Sequence, residues 1–275
     1  EAGRKILAAY FVEVLRFSGD IAHDASAVPA MHILVRRMRH LIAALAPYYK
    51  SKKVAPFVDE LDRLYSRLGA VVEAQMLLSD LQHHEHPFVS LQEIAQNRSD
   101  EALAKLTKQV QSKHFGKFAK KFTKFLTKDG RGAILPDEDT APSEVRHLVP
   151  VLLHDAFAQL RAYEMALHAE PQQAISGLRQ QLQTMRDLVA SFEPLLGTSI
   201  RDFDEQLTGL LERLSLSEML ATAQHAFRDE ADGEAYLDTL AAREAEMLGA
   251  LPTLWEQFNT RTTLRKFSDA LLVLR

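Results

Sequence analysis

The chain has 275 residues, 47% of them hydrophobic and 25% charged, an ordinary composition for a soluble globular protein and enough for one large or two small cores. Its formal net charge of −4 argues against a generally basic nucleic-acid binder, so any polyanion site must be local. The absence of cysteine excludes disulfides, thiol catalysis and cysteine-ligated metal sites, and it fits a cytoplasmic protein.

Residues 1–5 are charged and lead to no signal-peptide core, and the missing initiator Met implies that residues precede Glu1. No apolar run reaches the roughly 18 to 20 residues that a transmembrane helix needs. Apolar spacing is close to 3.6 almost throughout, with only 11 Gly and 10 Pro to interrupt it. It predicts helices at 4–18, 28–47, 53–81, 88–97, 99–127, 142–168, 171–195, 199–228, 232–248 and 251–273, and no strand. Ser99-Asp100-Glu101 reads as a helix start, with a capping residue followed by acids at the positive end of the helix. Asp129-Gly130-Arg131-Gly132 reads as a stop, because glycine readily takes C-cap conformations. Residues 130–142 form the linker, and Pro136-Asp137-Glu138-Asp139 lies inside it. The expectation is one all-α domain of two pseudo-repeated helical bundles, residues 1–129 and 143–275, forming a compact body with a basic groove.

Charge is concentrated between Lys105 and Arg131, where nine basic residues meet one acid, Asp129. Phe115, Phe118, Phe122 and Phe125 fall within an arc of roughly 80° on a helical wheel, and Lys113, Lys117, Lys120, Lys121, Lys124 and Lys128 fill the opposing arc. Like charges at i,i+4 repel by a few tenths of a kcal/mol per pair, and nothing in the helix itself relieves this. Three readings stand: a solvated face paired with acidic neighbours, a polyanion-binding strip centred on Lys117, Lys120, Lys121 and Lys124, or a basic helix lying on an anionic membrane surface. A second stripe, His147, His154, Arg161 and His168 with Arg146 beside it, repeats once per heptad and is either a polar surface or a second wall of an anion groove.

Sites of catalysis and metal binding are weak or absent. Glu144-Val145-Arg146-His147 is a single Glu-x-x-His, where a di-iron bundle needs two and further glutamates. His83-His84-Glu85-His86 precedes Pro87 and reads as a loop. There is no His-Glu-x-x-His, phosphate-binding Gly-rich loop, dinucleotide fingerprint or nucleophile elbow. The expectation is a non-enzyme without metal or cofactor.

A segment recurs half a chain apart. Val28-Pro29-Ala30-Met31-His32-Ile33-Leu34-Val35-Arg36-Arg37-Met38-Arg39, running on to Pro47, matches Ile175-Ser176-Gly177-Leu178-Arg179 through Gln183-Thr184-Met185-Arg186, running on to Pro194, at a shift of 147 residues. The shift superposes Met38 on Met185, Arg39 on Arg186, Arg36 on Gln183 and His32 on Arg179. Positions 32, 36 and 39 share one helical face, as do 179, 183 and 186. If the halves pair, these stripes face one another as an anion site.

This repeat resembles the CHAD domain, the conserved histidine α-helical domain, whose halves each carry a helix reading roughly His-x-x-Arg-Val-x-x-Arg/Lys-Arg-Leu-Arg. Arg36-Arg37-Met38-Arg39 matches the end of that motif. Pro29 and Ser176 stand at the two histidine positions, and His32 stands where the family has the next arginine. Leu68-Gly69-Ala70 with Glu73 resembles the family's Leu-Gly-x-x-Arg-Asp helix, with Val72 at the arginine. Phe192-Glu193-Pro194-Leu195-Leu196 resembles its Phe-x-Pro-Leu-Leu helix end, and Trp255 with the last apolar helix resembles its closing segment. Nearly the whole chain is covered. The triphosphate-tunnel domain often joined to this family is not visible, because Glu244-Ala245-Glu246 lacks the lysine of Glu-x-Glu-x-Lys.

The resemblance implies non-catalytic binding of inorganic polyphosphate or another polyanion, without specificity for nucleic acid; association with polyphosphate granules would follow. The residues it implies are Arg36, Arg37, Arg39, His32, Arg179 and Arg186, to which the residue pattern adds the lysine strip, His154 and Arg161. The alternative is a helical scaffold that has lost phosphate binding, to which Pro29, Ser176, Gln183 and the acidic net charge point.

Overall fold

The computed structural model describes residues 1–21, 24–134 and 144–274. Among these the regular elements are all helices, and a single isolated bridge joins Tyr49 to Ala133. The chain divides into two compact units, Glu1–Pro142 and Ser143–Arg275. Residues 135–142 of the expected linker, with Pro136 to Asp139, lie outside the described residues, as does the expected start of a helix at 142.

The first unit contains α1 (Ala2–Asp20), α2 (Ala27–Ala44), α3 (Ser51–His83), α4 (Val89–Val110) and α5 (Lys113–Thr127). Its core follows the apolar period: Phe11 and Val14 of α1, Met31, Val35 and Met38 of α2, and Leu61, Leu64 and Leu68 of α3 are each at most 2% exposed. The helices pack mainly in sequence order, α1 on α2, α2 on α3 and α3 on α4, while α5 returns chiefly to α1.

The second unit contains α6 (Val145–Arg161), α7 (Glu164–Ala169), α8 (Pro171–Phe192), α9 (Ile200–Phe227), α10 (Gly233–Phe258) and α11 (Arg261–Leu271). An aromatic cluster of Phe157, Phe203, Phe258 and Phe267 fills its centre, with Trp255 edging Phe258. The two motif helices, α2 and α8, bury the superposed Met38 and Met185 completely. Each is followed by a short 3-10 turn around its proline, Ala46–Tyr48 and Glu193–Leu195. The α-helices end at Ala44 and Phe192, short of the expected 47 and 195, and the proline of each falls in the 3-10 turn that follows.

Three expected boundaries are corrected. The break placed before Ser99 lies instead at Gln111–Ser112. Ser99 is buried inside α4, and its acidic neighbours serve i,i+4 pairs, Gln96 with Asp100 at 2.9 Å and Lys105 with Glu101 at 3.1 Å. The true cap is Ser112, whose hydroxyl accepts from the Phe115 amide at 3.1 Å. The helix expected at 142–168 breaks at Ala162–Tyr163, and the Tyr163 phenol lies where any Cβ on Gly177 of α8 would collide with it. Finally, α10 runs through Pro252. A proline inside a helix costs about 3 kcal/mol, but burying Leu251, Trp255 and Phe258 on the same stretch returns roughly 1.5–3 kcal/mol each. The second break falls at Thr260, which caps α11 through the Thr263 amide.

A buried arginine ties both ends of the first unit's return path. Arg4 on α1 is 5% exposed and donates to the Leu126 carbonyl in the last turn of α5, to Asp129 at 2.6 Å and to Glu1 at 3.0 Å. The hydrogen bond from Arg4 holds the Glu1 carboxyl below its ordinary range, and the same bond raises the pKa of Arg4. Beyond Asp129 the chain turns at Gly130 and Gly132, with φ of 62° and 78°, and the Lys50 amide donates to the Gly132 carbonyl at 2.8 Å. Replacing Arg4→Met leaves the end of α5 without this donor. The expected loss is about 1–3 kcal/mol, read as a lower urea midpoint at unchanged slope.

Candidate functional site

In the first unit the motif face of α2 meets a polar face of α3. Asp62, Tyr65, Gly69 and Glu73 lie at i, i+3, i+7 and i+11, on one side of α3. Arg39 forms an ion pair with Asp62 and places its guanidinium carbon 4.3 Å from the centre of the Tyr65 ring. His32 stacks on the same ring at 4.6 Å, near parallel at 16°. A Cβ on Gly69 would sit in ordinary van der Waals contact, 3.8 Å, with both His32 Nε2 and Glu73 Oε1, so this position lies beside both side chains. The residues that carry the family resemblance on α2 and α3 therefore come together. Arg36 is only 8% exposed and has little surface to offer a ligand, and Arg37, one residue on, is half-buried. Arg39 keeps 30% of its side chain exposed.

The second unit repeats the arrangement. On α8, Arg179 pairs with Glu218 and Arg186 with Asp204 at 3.5 Å, both acids standing on α9. The arginines are 29% and 32% exposed. Asp204 and Glu218 are two heptads apart and so share a face. Equivalent arginines 39 and 186 thus each pair with an aspartate on the following helix. The sequence reading missed Asp62, Tyr65, Asp204 and Glu218; their common faces were the available signal.

The third cationic surface is α5. Its phenylalanines are core: Phe115, Phe118, Phe122 and Phe125 are each no more than 7% exposed. Phe11 of α1 meets Phe118 and Phe122 edge-on at 5.7 and 4.8 Å, and Phe57 of α3 lies 4.9 and 5.0 Å from Phe122 and Phe125. An apolar face spent on the unit's own interior cannot enter a membrane, which removes the membrane-surface reading. All six lysines are exposed. Among the described residues no carboxylate pairs with Lys117, Lys120, Lys121 or Lys124, so the expectation of acidic neighbours is not met there. The strip stands on α5, whose main supports are α1, α4 and α3, whereas α2 packs on α1 and α3.

On α6, His147, His154 and Arg161 are exposed, with His154 edge-on to Phe267 of α11 at 5.2 Å. His168 leaves this stripe, because the helix break puts it on α7. Arg146, His147 and His154 rim an open, largely apolar depression of about 370 Å³ against Leu271 and Leu272. His84 and His86 pack on Phe88, and among the described residues no three His, Asp or Glu side chains are gathered to hold a metal ion. Among the same residues no helix is long and apolar enough to cross a membrane.

These features define an all-α protein of two helical units, each with an arginine-bearing motif helix, and an exposed lysine face on the first. The chain belongs to the CHAD domain family, whose pattern matches residues 5–228. Its fold is similar to the crystal structure of the CHAD domain from the plant Ricinus communis, at 16% identity and a TM-score of 0.66, over 100% of this chain and 92% of that one. It is likewise similar to PptA from Streptomyces chartreusis, at 16% identity and a TM-score of 0.64, over 93% of this chain and 97% of that one. No curated protein matches its sequence significantly.

Proposed function

We propose that the protein binds inorganic polyphosphate or a similar condensed phosphate without catalysis, primarily through the α5 lysine strip. The observation that carries this reading is that Lys117, Lys120, Lys121 and Lys124 stand exposed, and unpaired by any described carboxylate, on a helix clamped by its phenylalanines. Family resemblance supports it, since CHAD domains take polyphosphate on basic helical side chains. Arg39, Arg179 and Arg186 can add bidentate contacts, although each ligand phosphate must share them with a resident carboxylate. Association with polyphosphate granules would follow.

Those carboxylates favour a second reading, a helical scaffold whose motif arginines have become internal ion pairs. Titration with long-chain polyphosphate, with short duplex DNA as competitor, separates the two. Binding that resists DNA of equal total charge is expected, because polyphosphate carries no sugars or bases to hold it off the strip. Preference for DNA would point to an unspecific basic surface, and no binding to either would leave the scaffold.

A further inference from the structure

We propose that the phosphate site does not end with α5 but turns the corner onto the start of α3, with Arg131, Lys50 and Lys53 as further binding residues for a condensed phosphate chain; this rests on the binding function proposed above. The join is made by backbone. The Arg131 amide donates to the Lys128 carbonyl at 3.2 Å, so Arg131 follows the last lysine of the strip within one tight turn. The Lys50 amide donates to the Gly132 carbonyl at 2.8 Å, and the Ile134 amide donates to the Tyr48 carbonyl at 2.9 Å. These bonds flank the bridge between Tyr49 and Ala133 and clasp the turn to the segment that opens α3. A Cβ on Gly132 would lie 2.7 Å from a ring carbon of Phe125 and 3.5 Å from the Lys53 Cβ, so the turn sits between α5 and the first turn of α3.

Positive charge follows the same path. Lys124 and Lys128 lie one helical turn apart on α5. The contacts above then carry the row through Arg131 to Lys50 and Lys53, and all of these side chains are exposed. Among the described residues no carboxylate pairs with any of them. The acids at this corner, Asp129 and Glu1, are both held by the buried Arg4. Cations gathered in this way repel one another, and a bound polyanion relieves that repulsion. A condensed phosphate rotates freely at each P–O–P link, so a single chain can leave the strip and follow the turn onto α3. Arg131 stands at the bend, where its guanidinium can take two phosphate oxygens at once.

The test is titration with long-chain polyphosphate at several salt concentrations. Lys50→Gln, Lys53→Gln and Arg131→Gln together strip the corner of charge and leave its backbone bonds in place. Affinity should fall roughly 10- to 100-fold, and the log–log salt slope should flatten by roughly two to three. The urea midpoint should not fall. Arg201→Gln, Arg265→Gln and Lys266→Gln remove the same charge from the second unit, and they should change affinity by no more than about twofold, since distant exposed charges are screened. Should the triple corner variant lose stability, Arg131→Gln alone decides, with an expected flattening of about 0.7 to 0.9. If the corner variants bind as the parent does, or the second-unit variant weakens binding equally, the corner is no part of the site, while phosphate binding stands. If the parent itself binds no polyphosphate, the function proposed above falls with it.

Discussion

Replacing Lys117, Lys120, Lys121 and Lys124 together by Gln is expected to lower polyphosphate affinity by roughly 30- to 1,000-fold. An exposed ion pair contributes about 0.5–1 kcal/mol, so four contribute about 2–4 kcal/mol. The log–log salt slope should flatten by roughly three, at 0.7 to 0.9 per neutralised phosphate by analogy with nucleic acids. The same variant should fold as the parent does. Glutamine forms helix about as well as lysine, and the replacement removes like-charge i,i+4 contacts such as Lys117 with Lys121 and Lys120 with Lys124. Circular dichroism should be unchanged and the urea midpoint equal or slightly higher. Lost affinity with retained stability assigns the strip to ligand binding. Unchanged affinity would remove the strip from the site.

The two faces of α5 are legible in the sequence because four Phe and six Lys fall on fixed arcs, and an arc of large apolar side chains has to be buried. The repeat is legible for a similar reason: Met38 and Met185 sit at equivalent core positions. The start of α5 is not legible, since Ser99-Asp100-Glu101 has the residue types of a helix start, but Ser99 is buried inside α4 and the two acids serve i,i+4 pairs along it. Continuation through Pro252 is hidden too, because it depends on how much Trp255 buries, which is a tertiary quantity. Least legible are the partners of the motif arginines. Pairing Arg39 with Asp62, or Arg186 with Asp204, requires the rotation of one helix against the next, and no spacing within either helix encodes it. His32 shows the same limit: its place in the motif suggests a ligand contact, but its ring is stacked on Tyr65.

Those pairs make two opposite experiments possible on the motif helices. Replacing Arg39 and Arg186 together by Ala removes two cations and leaves Asp62 and Asp204 facing any ligand, so polyphosphate affinity should fall by roughly tenfold or more, given about 1.5–3 kcal/mol for a charged hydrogen bond. Replacing Asp62 and Asp204 together by Asn frees both arginines for phosphate oxygens, and affinity should rise by roughly two- to fivefold per site, as expected when a competing pair contributes up to about 1 kcal/mol. Neither change should unfold the protein, because each pair is about a third exposed on its arginine side and such pairs contribute little to stability. Movement in opposite directions would mean that the carboxylates hold the arginines as internal stand-ins for the ligand. If the Asn variant binds no better and the Ala variant no worse, the arginines serve only to join α2 to α3 and α8 to α9, and binding rests on α5 alone.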